Sequence, residues 1–419
     1  MSEQSYRNPA GGAAPRLLAA LIWGALALLM SALLAACGSG GAGRALSGGP
    51  GAGPGAQPLG GQPGLNQPAV KVALLLPLSG RGSAAQIAQA MKQAGELALF
   101  DFDNPNVKIL TKDTRGTADG AKAAALSAVN DGAEIILGPL FATSVAAAAP
   151  IARERNIPVV AFSTDRKVAG NGVYLLSFLA GRDVPRIVSF AISRGKQRFA
   201  ALIPKTPYGT IVEASFRQAV SARGGTIVAI ERFPPDANGM LEPAKRIAAL
   251  AKSEDPAVPP QIDALFIPAG QETLPTLSAL LPYYEIDTQK VQLLGTGQWD
   301  YPNVGKEKPL VGGWFPAPDP KGWSSFTQRY VKSYEKTPPR LASLAYDAVS
   351  LVVTLSNNPP GRRFTPEQLT RSSGFAGVDG LFRLRPDGTS ERGLAILEVQ
   401  KFDSRVIDPA PSVFGAAQF

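Results

Sequence analysis

The chain has 419 residues, 45% hydrophobic and 18% charged, with 42 Lys and Arg against 33 Asp and Glu and a formal net charge of +9. Histidine is absent, which excludes Ser/His/Asp and Cys/His catalysis, histidine general bases and histidine metal sites. The basic residues are scattered without a Lys/Arg run, so the charge points to weak attraction to anionic surfaces and not to nucleic acid.

At the start, Arg7 and Arg16 precede an almost purely apolar run from Leu17 to Ala36 that closes in small residues. This is the pattern of an export signal, so residues 1–36 leave the fold argument. The site Leu34-Ala35-Ala36-Cys37 resembles the lipobox of bacterial lipoproteins, which implies cleavage after Ala36 and lipid attachment at Cys37. Cys37 is the only cysteine, so no disulfide forms within the chain. Each buried lipid methylene contributes about 0.8 kcal/mol, so several acyl chains hold such a protein to its membrane almost irreversibly. Gly38 follows in place of the aspartate that the lipoprotein resemblance associates with inner-membrane retention, which favours the outer membrane. Residues 37–68 continue in Gly, Pro, Ala, Ser and Gln, too polar and small to offset ordering entropy by burial, and predict a flexible tether.

From Val70 onward, short apolar runs alternate with Ala-rich amphipathic stretches. Residues 71–76, 107–111, 134–137 and 159–161 read as buried strands, with helices over 83–100, 117–131 and 143–155 between them. A second series has strands at 198–203, 226–230, 264–267 and 291–294, separated by helices near 211–222, 242–252 and 271–281. The chain then gives a helical stretch over 323–355 and a β-rich ending over 380–407. Regular alternation implies parallel sheets covered on both faces, and some 350 residues exceed one ordinary core. The expected fold is therefore α/β, with two Rossmann-like lobes.

The order and spacing of several segments resemble type I periplasmic binding proteins of the leucine-binding family. These are Lys71-Val72-Ala73-Leu74-Leu75-Leu76-Pro77-Leu78-Ser79-Gly80, Ile136-Leu137-Gly138-Pro139-Leu140, Asn156-Ile157-Pro158-Val159-Val160-Ala161-Phe162-Ser163, and Tyr208-Gly209. The resemblance implies three crossover segments between the lobes, near Leu176 to Pro185, Gly312 to Pro318 and Gly374 to Gly380. It assigns 69–180 to lobe 1, 181–312 to lobe 2, 313–373 to a return to lobe 1, and 374–419 to a β-rich segment returning to lobe 2. It also implies a small-molecule ligand between the lobes, with no cofactor, metal or catalytic residue.

Ligands in open α/β sheets sit beyond the carboxyl ends of strands, where helix N-termini attract negative groups. For an amino-acid ligand the resemblance assigns the carboxylate to Thr143 and the Ser163, Thr164, Asp165 loop. Ser79 stands in the first loop, Tyr208 closes from the second lobe, and Gln271 and Gln298 complete the expected set. Two departures count against a free amino acid. The loop Gly80-Arg81-Gly82-Ser83 lacks an aromatic, and the loop Thr296, Gly297, Gln298 lacks an acid to meet an ammonium group, which is costly to bury unpaired.

These departures fit a subgroup, the penicillin-binding-protein activators, lipoproteins that stimulate a peptidoglycan synthase. Leu202-Ile203-Pro204-Lys205, Asp379-Gly380-Leu381-Phe382-Arg383-Leu384 and Arg392-Gly393-Leu394-Ala395-Ile396 are similar to segments of that subgroup, although its large helical N-terminal domain has no counterpart here. The expectation is an activator of peptidoglycan synthesis, with a substrate-binding lipoprotein of an ABC permease as the alternative. Gly80, Gly82 and Ala85 also match a dinucleotide fingerprint, but Pro77 to Ser79 separate them from the strand, which argues against that reading. The aromatics Trp299, Tyr301, Trp314, Phe315 and Trp323 read first as hinge and core packing, and otherwise as a ligand wall or partner patch.

Overall fold

The computed structural model describes residues 69–104, 106–252 and 258–414. The expected signal segment, Cys37 and the tether lie outside the described residues. Lobe 1 opens with β1 (Val70–Leu76), α1 (Ser83–Phe102), β2 (Val107–Asp113), α2 (Ala118–Asn130), β3 (Ile135–Leu137), α3 (Ala142–Glu154), β4 (Val159–Ala161) and β5 (Val173–Leu175). Their sheet has the order β2-β1-β3-β4-β5 and is parallel throughout. In β1 only Lys71 is exposed, because the strand has neighbours on both sides and helices on both faces.

Lobe 2 begins with α4 (Val184–Ser193), β6 (Arg198–Pro204), α5 (Pro207–Ser221), β7 (Thr226–Phe233), α6 (Ala237–Ala251), β8 (Ala264–Phe266), α7 (Leu274–Tyr283), β9 (Gln292–Leu294) and β10 (Trp314–Ala317). The chain continues through α8 (Pro320–Tyr334), α9 (Ala342–Ser356), α10 (Pro366–Leu369), β11 (Phe375–Gly377), β12 (Gly380–Leu384), β13 (Ser390–Arg392), β14 (Ala395–Val399) and β15 (Ser404–Asp408). The second sheet has the order β15-β14-β10-β9-β8-β6-β7, with β14 antiparallel to both its neighbours. Strands β11 to β13 form a small antiparallel sheet of their own.

Each large sheet is buried on both faces. In lobe 1, α1, α8 and α9 share a core with Phe375, Phe382 and Leu384 of the small sheet, while α2 and α3 cover the other face. Small residues set the approach of α1 and α9: a Cβ on Gly95 would already touch Val349 at 3.4 Å, and Ala94, Ala98, Ala345 and Ala348 are buried beside it. In lobe 2, α6 and α7 cover one face and α4 and α5 the other.

Four expectations need correction. Strand β5 was not read from the sequence, since three residues are too few to show a period. The helical stretch over 323–355 is two helices: α8 stops at Glu335, which takes a left-handed conformation with φ of 55°, and Pro338 and Pro339 prevent its continuation. The return to lobe 1 does not begin at 313, because β10 pairs with β9 and β14 and stays in lobe 2. The segment from 374 does not return to lobe 2 at once either. Phe375, Val378, Phe382 and Leu384 pack into the lobe 1 core, and only β14 and β15 join the second sheet.

Candidate functional site

The chain passes between lobes at residues 176–183, 318–319 and 393–394. The first and third are laced together. Leu175 N–H donates to Gly388 O at 2.7 Å, Arg182 Nη2 to Thr389 Oγ1 at 2.7 Å, and Arg186 Nε to Leu394 O at 2.9 Å.

A cavity of about 560 Å³ lies against all three crossovers. Phe178, Arg182 and Asp183 line it from the first, Pro318 from the second, and Ser390, Arg392 and Leu394 from either side of the third. Loops at the carboxyl ends of strands complete the walls. Thr164 follows β4, Tyr208 follows β6, and Gln298 and Asp300 follow β9, with Arg340 entering from the turn before α9. This is the switch-region placement expected for open α/β sheets.

Of the ligand residues expected from the sequence, Thr164, Tyr208 and Gln298 line this cavity. Tyr208 is positioned by a tight turn into α5: Thr206 Oγ1 caps the helix by accepting from Gly209 N–H at 3.1 Å, and the phenol pairs with Thr296 Oγ1 at 2.9 Å. Burial, with the nearby Asp183 carboxylate, pushes the phenol well above its usual range. The others are not among the lining residues. Ser79 is exposed and donates to Asp113 Oδ2 at 2.6 Å; Thr143 and Gln271 are exposed. Ser163 is buried and accepts from Asp165 N–H at 3.1 Å, while Asp165 caps a short turn by accepting from Lys167 N–H at 3.0 Å.

The acid that the 296–298 loop lacks is supplied from elsewhere in the chain. Asp183 Oδ2 accepts from Gly297 N–H at 2.8 Å, and burial pushes its carboxyl upward against that hydrogen bond. Asp300 also lines the cavity and lies 3.8 Å from Arg340 across the lobes.

Behind the wall stands a pair of fully buried carboxylates. Asp379 lies 2.7 Å from Arg340 Nη2 and accepts from Ser343 Oγ at 2.6 Å. Asp347 accepts from Val378 N–H at 2.6 Å and from Arg392 Nη1 at 3.2 Å. Burial raises the Asp347 carboxyl to about 6 against the pull of Arg392, with the Asp379 charge adding to the rise. A Cβ on Gly377 would come within 2.6 Å of this carboxylate, so the backbone closes directly over it. Sequence reasoning missed Asp183, Arg340, Asp347 and Arg392. Asp183 and Arg392 stand beside crossovers, Arg392 within a segment similar to the activator subgroup; Arg340 and Asp347, before and within α9, carried no local signal.

The aromatic residues do not form one wall. Trp299 and Phe315 are buried in lobe 2, with Trp299 Nε1 donating to Ile267 O at 3.0 Å. Trp314 packs edge-on against Phe190, and Trp323 packs in lobe 1 beneath the Arg340 guanidinium at 4.6 Å.

Residues 69–404 match a family model described as periplasmic binding protein. A sequence comparison with curated proteins finds no match. Among solved structures, a putative branched-chain amino acid ABC transporter from Rhodospirillum rubrum is similar at 21% identity and a TM-score of 0.69, over 81% of this chain and 100% of that one. A substrate binding protein from Streptococcus pneumoniae in complex with isoleucine is 18% identical, with a TM-score of 0.52 over 81% and 100%. A solute binding protein of an ABC transporter from Rhodopseudomonas palustris in complex with 4-hydroxybenzoate is 17% identical, with a TM-score of 0.56 over 82% and 98%.

Proposed function

Because the chain belongs to the periplasmic binding protein family, we propose that it is a solute receptor that takes a small molecule into the cavity between its lobes and delivers it to an ABC permease. The observation that carries this reading is the cavity itself, which is lined from both lobes and all three crossovers, so that a ligand there touches every part that must move. Its walls offer both carboxylates and guanidiniums, so the missing acid in the 296–298 loop no longer argues against an amino-acid ligand. The relatives bound to isoleucine and 4-hydroxybenzoate indicate which probes to try first.

The activator reading rests on segments that this fold already employs. Residues 379–384 hold Asp379 and build β12, and residues 392–396 form the third crossover with its flanks. Neither segment therefore calls for a peptidoglycan synthase. Lipid attachment at Cys37 remains part of the proposal. Fractionation to the inner membrane fits a receptor that feeds a permease; fractionation to the outer membrane, with capture of a synthase, returns the balance to an activator.

The test is to purify the chain as a Cys37→Ser variant, weigh it under native conditions for a co-purified small molecule, and titrate isoleucine, benzoate and 4-hydroxybenzoate by calorimetry. A saturable one-to-one ligand whose binding weakens at least about tenfold in Tyr208→Ala is the expected result. No bound molecule and no heat with any probe, beside capture of a synthase, overturns the receptor reading.

A further inference from the structure

Buried donors are almost always hydrogen-bonded, because an unmet one retains its full desolvation penalty. Four exceptions gather on three residues of the cavity wall. Arg392 Nε and Nη2, Ser390 Oγ and Arg182 Nε are buried without a hydrogen-bond partner. The Arg392 side chain is only 6% exposed and Ser390 only 2%. Phe178 and Phe382 flank the Arg392 guanidinium, with centroids at 4.9 and 5.5 Å, and so fix its plane. Its Nη1 is taken by Asp347. Nε and Nη2 form the remaining two-pronged edge, the fork that a carboxylate meets with both oxygens. Ser390 lies two residues earlier on β13 and so on the same strand face, while Glu391 between them is engaged by Arg383 and Arg385. Arg340, on the Phe178 ring at 6.0 Å, adds positive charge nearby.

The geometry points to an anion subsite on the third crossover, in which the Nε–Nη2 edge of Arg392 and the Ser390 hydroxyl take the carboxylate of the solute. The inference rests on the solute-receptor reading and deepens it: the acid end of the solute docks beside Gly393 and Leu394, where the chain passes between lobes, and not at the Thr143 and Ser163 loops. With Asp347 already balancing Arg392, a singly charged planar carboxylate suits the fork better than a phosphate dianion.

The experiment compares benzoate with benzamide, isoleucine with its amide, and inorganic phosphate, by calorimetry and thermal shift on the Cys37→Ser chain. Arg392→Gln is combined with Asp347→Asn so that no buried charge is left unpaired; Ser390→Ala is the milder variant. The expected result is a preference for acid over amide of at least about tenfold, abolished in the double variant and reduced in Ser390→Ala. Equal binding of acid and amide, or a preference that survives the double variant, overturns the subsite while leaving the receptor intact if Tyr208→Ala still weakens binding. Tighter binding of phosphate than of either acid also overturns it. If no probe binds and no small molecule co-purifies while a synthase is captured, the receptor reading and the subsite fall together.

Discussion

The buried Asp347 carboxyl links stability to pH with an unusual sign. Its value in the fold, about 6, lies above the ordinary 3.8, so the folded chain keeps a proton that the unfolded chain has lost. This contribution is fully present below about pH 4 and disappears as pH rises through about 6. Carboxylates nearer the surface, such as Asp113 and Asp387, held low by hydrogen bonds to Ser79 and Thr389, act in the opposite direction, so the term is read as a difference between variants. Urea unfolding of the chain and of Asp347→Asn from pH 4 to 7 is expected to show the wild type losing ground to the variant as pH rises; parallel curves would remove the assignment. At this scale the sequence was partly legible. Tyr208, Thr164 and Gln298 were recognisable because each follows a strand end that the family motifs mark. Asp183 was not, because the loop it completes lies 114 residues further along, and no local pattern reports such a pairing.

Among the elements, one helix of each lobe begins in the same way. Thr117 caps α2 and Thr206 caps α5, and in each the third helical residue is a glycine pressed against the preceding strand. A Cβ on Gly209 would fall 1.9 Å from Pro204 O, and one on Gly120 2.2 Å from Thr114 O. Gly209→Ala must therefore push α5 from the end of β6 and take Tyr208 with it. A loss of roughly 2 kcal/mol or more in urea unfolding is expected, together with weaker binding of whichever probe the wild type accepts; unchanged stability would show that the turn can yield. Long, fully flanked strands such as β1 and β6 were legible because burial on both faces makes them continuous apolar runs. The three-residue β5 and β11 were not, since both are too short to show a period and β11 gains its place from packing against α9, whereas β12 and β13 fall within the β-rich ending expected over 380–407.

For the molecule as a whole, three crossovers join the lobes, the first and third tied by hydrogen bonds, and the Asp300 to Arg340 pair bridges the lobes in the cavity wall. Closure is testable by distance, since Cys37 is the only thiol to be removed first. Dyes on Lys167→Cys and Glu272→Cys, exposed on opposite lobes outside the cavity lining in a Cys37→Ser chain, are expected to move together by several ångströms on saturation with an accepted probe; a fixed distance would mean binding without closure. The two-lobed architecture followed from length and alternation, whereas the second and third boundaries did not. An apolar segment such as 314–317 has the same composition whichever sheet receives it.

The position of the last crossover also governs the order in which the molecule can assemble. Strand β14 lies inside the second sheet, between β10 and β15, yet it comes from residues 395–399, after the chain has gone back to finish lobe 1. Until those residues exist, β10 is an open edge and the Phe315 side of the core lacks Ala395 and Leu397. Lobe 2 thus cannot complete itself until residues 395–408 are made, so its sheet closes only after lobe 1 has received its last strands.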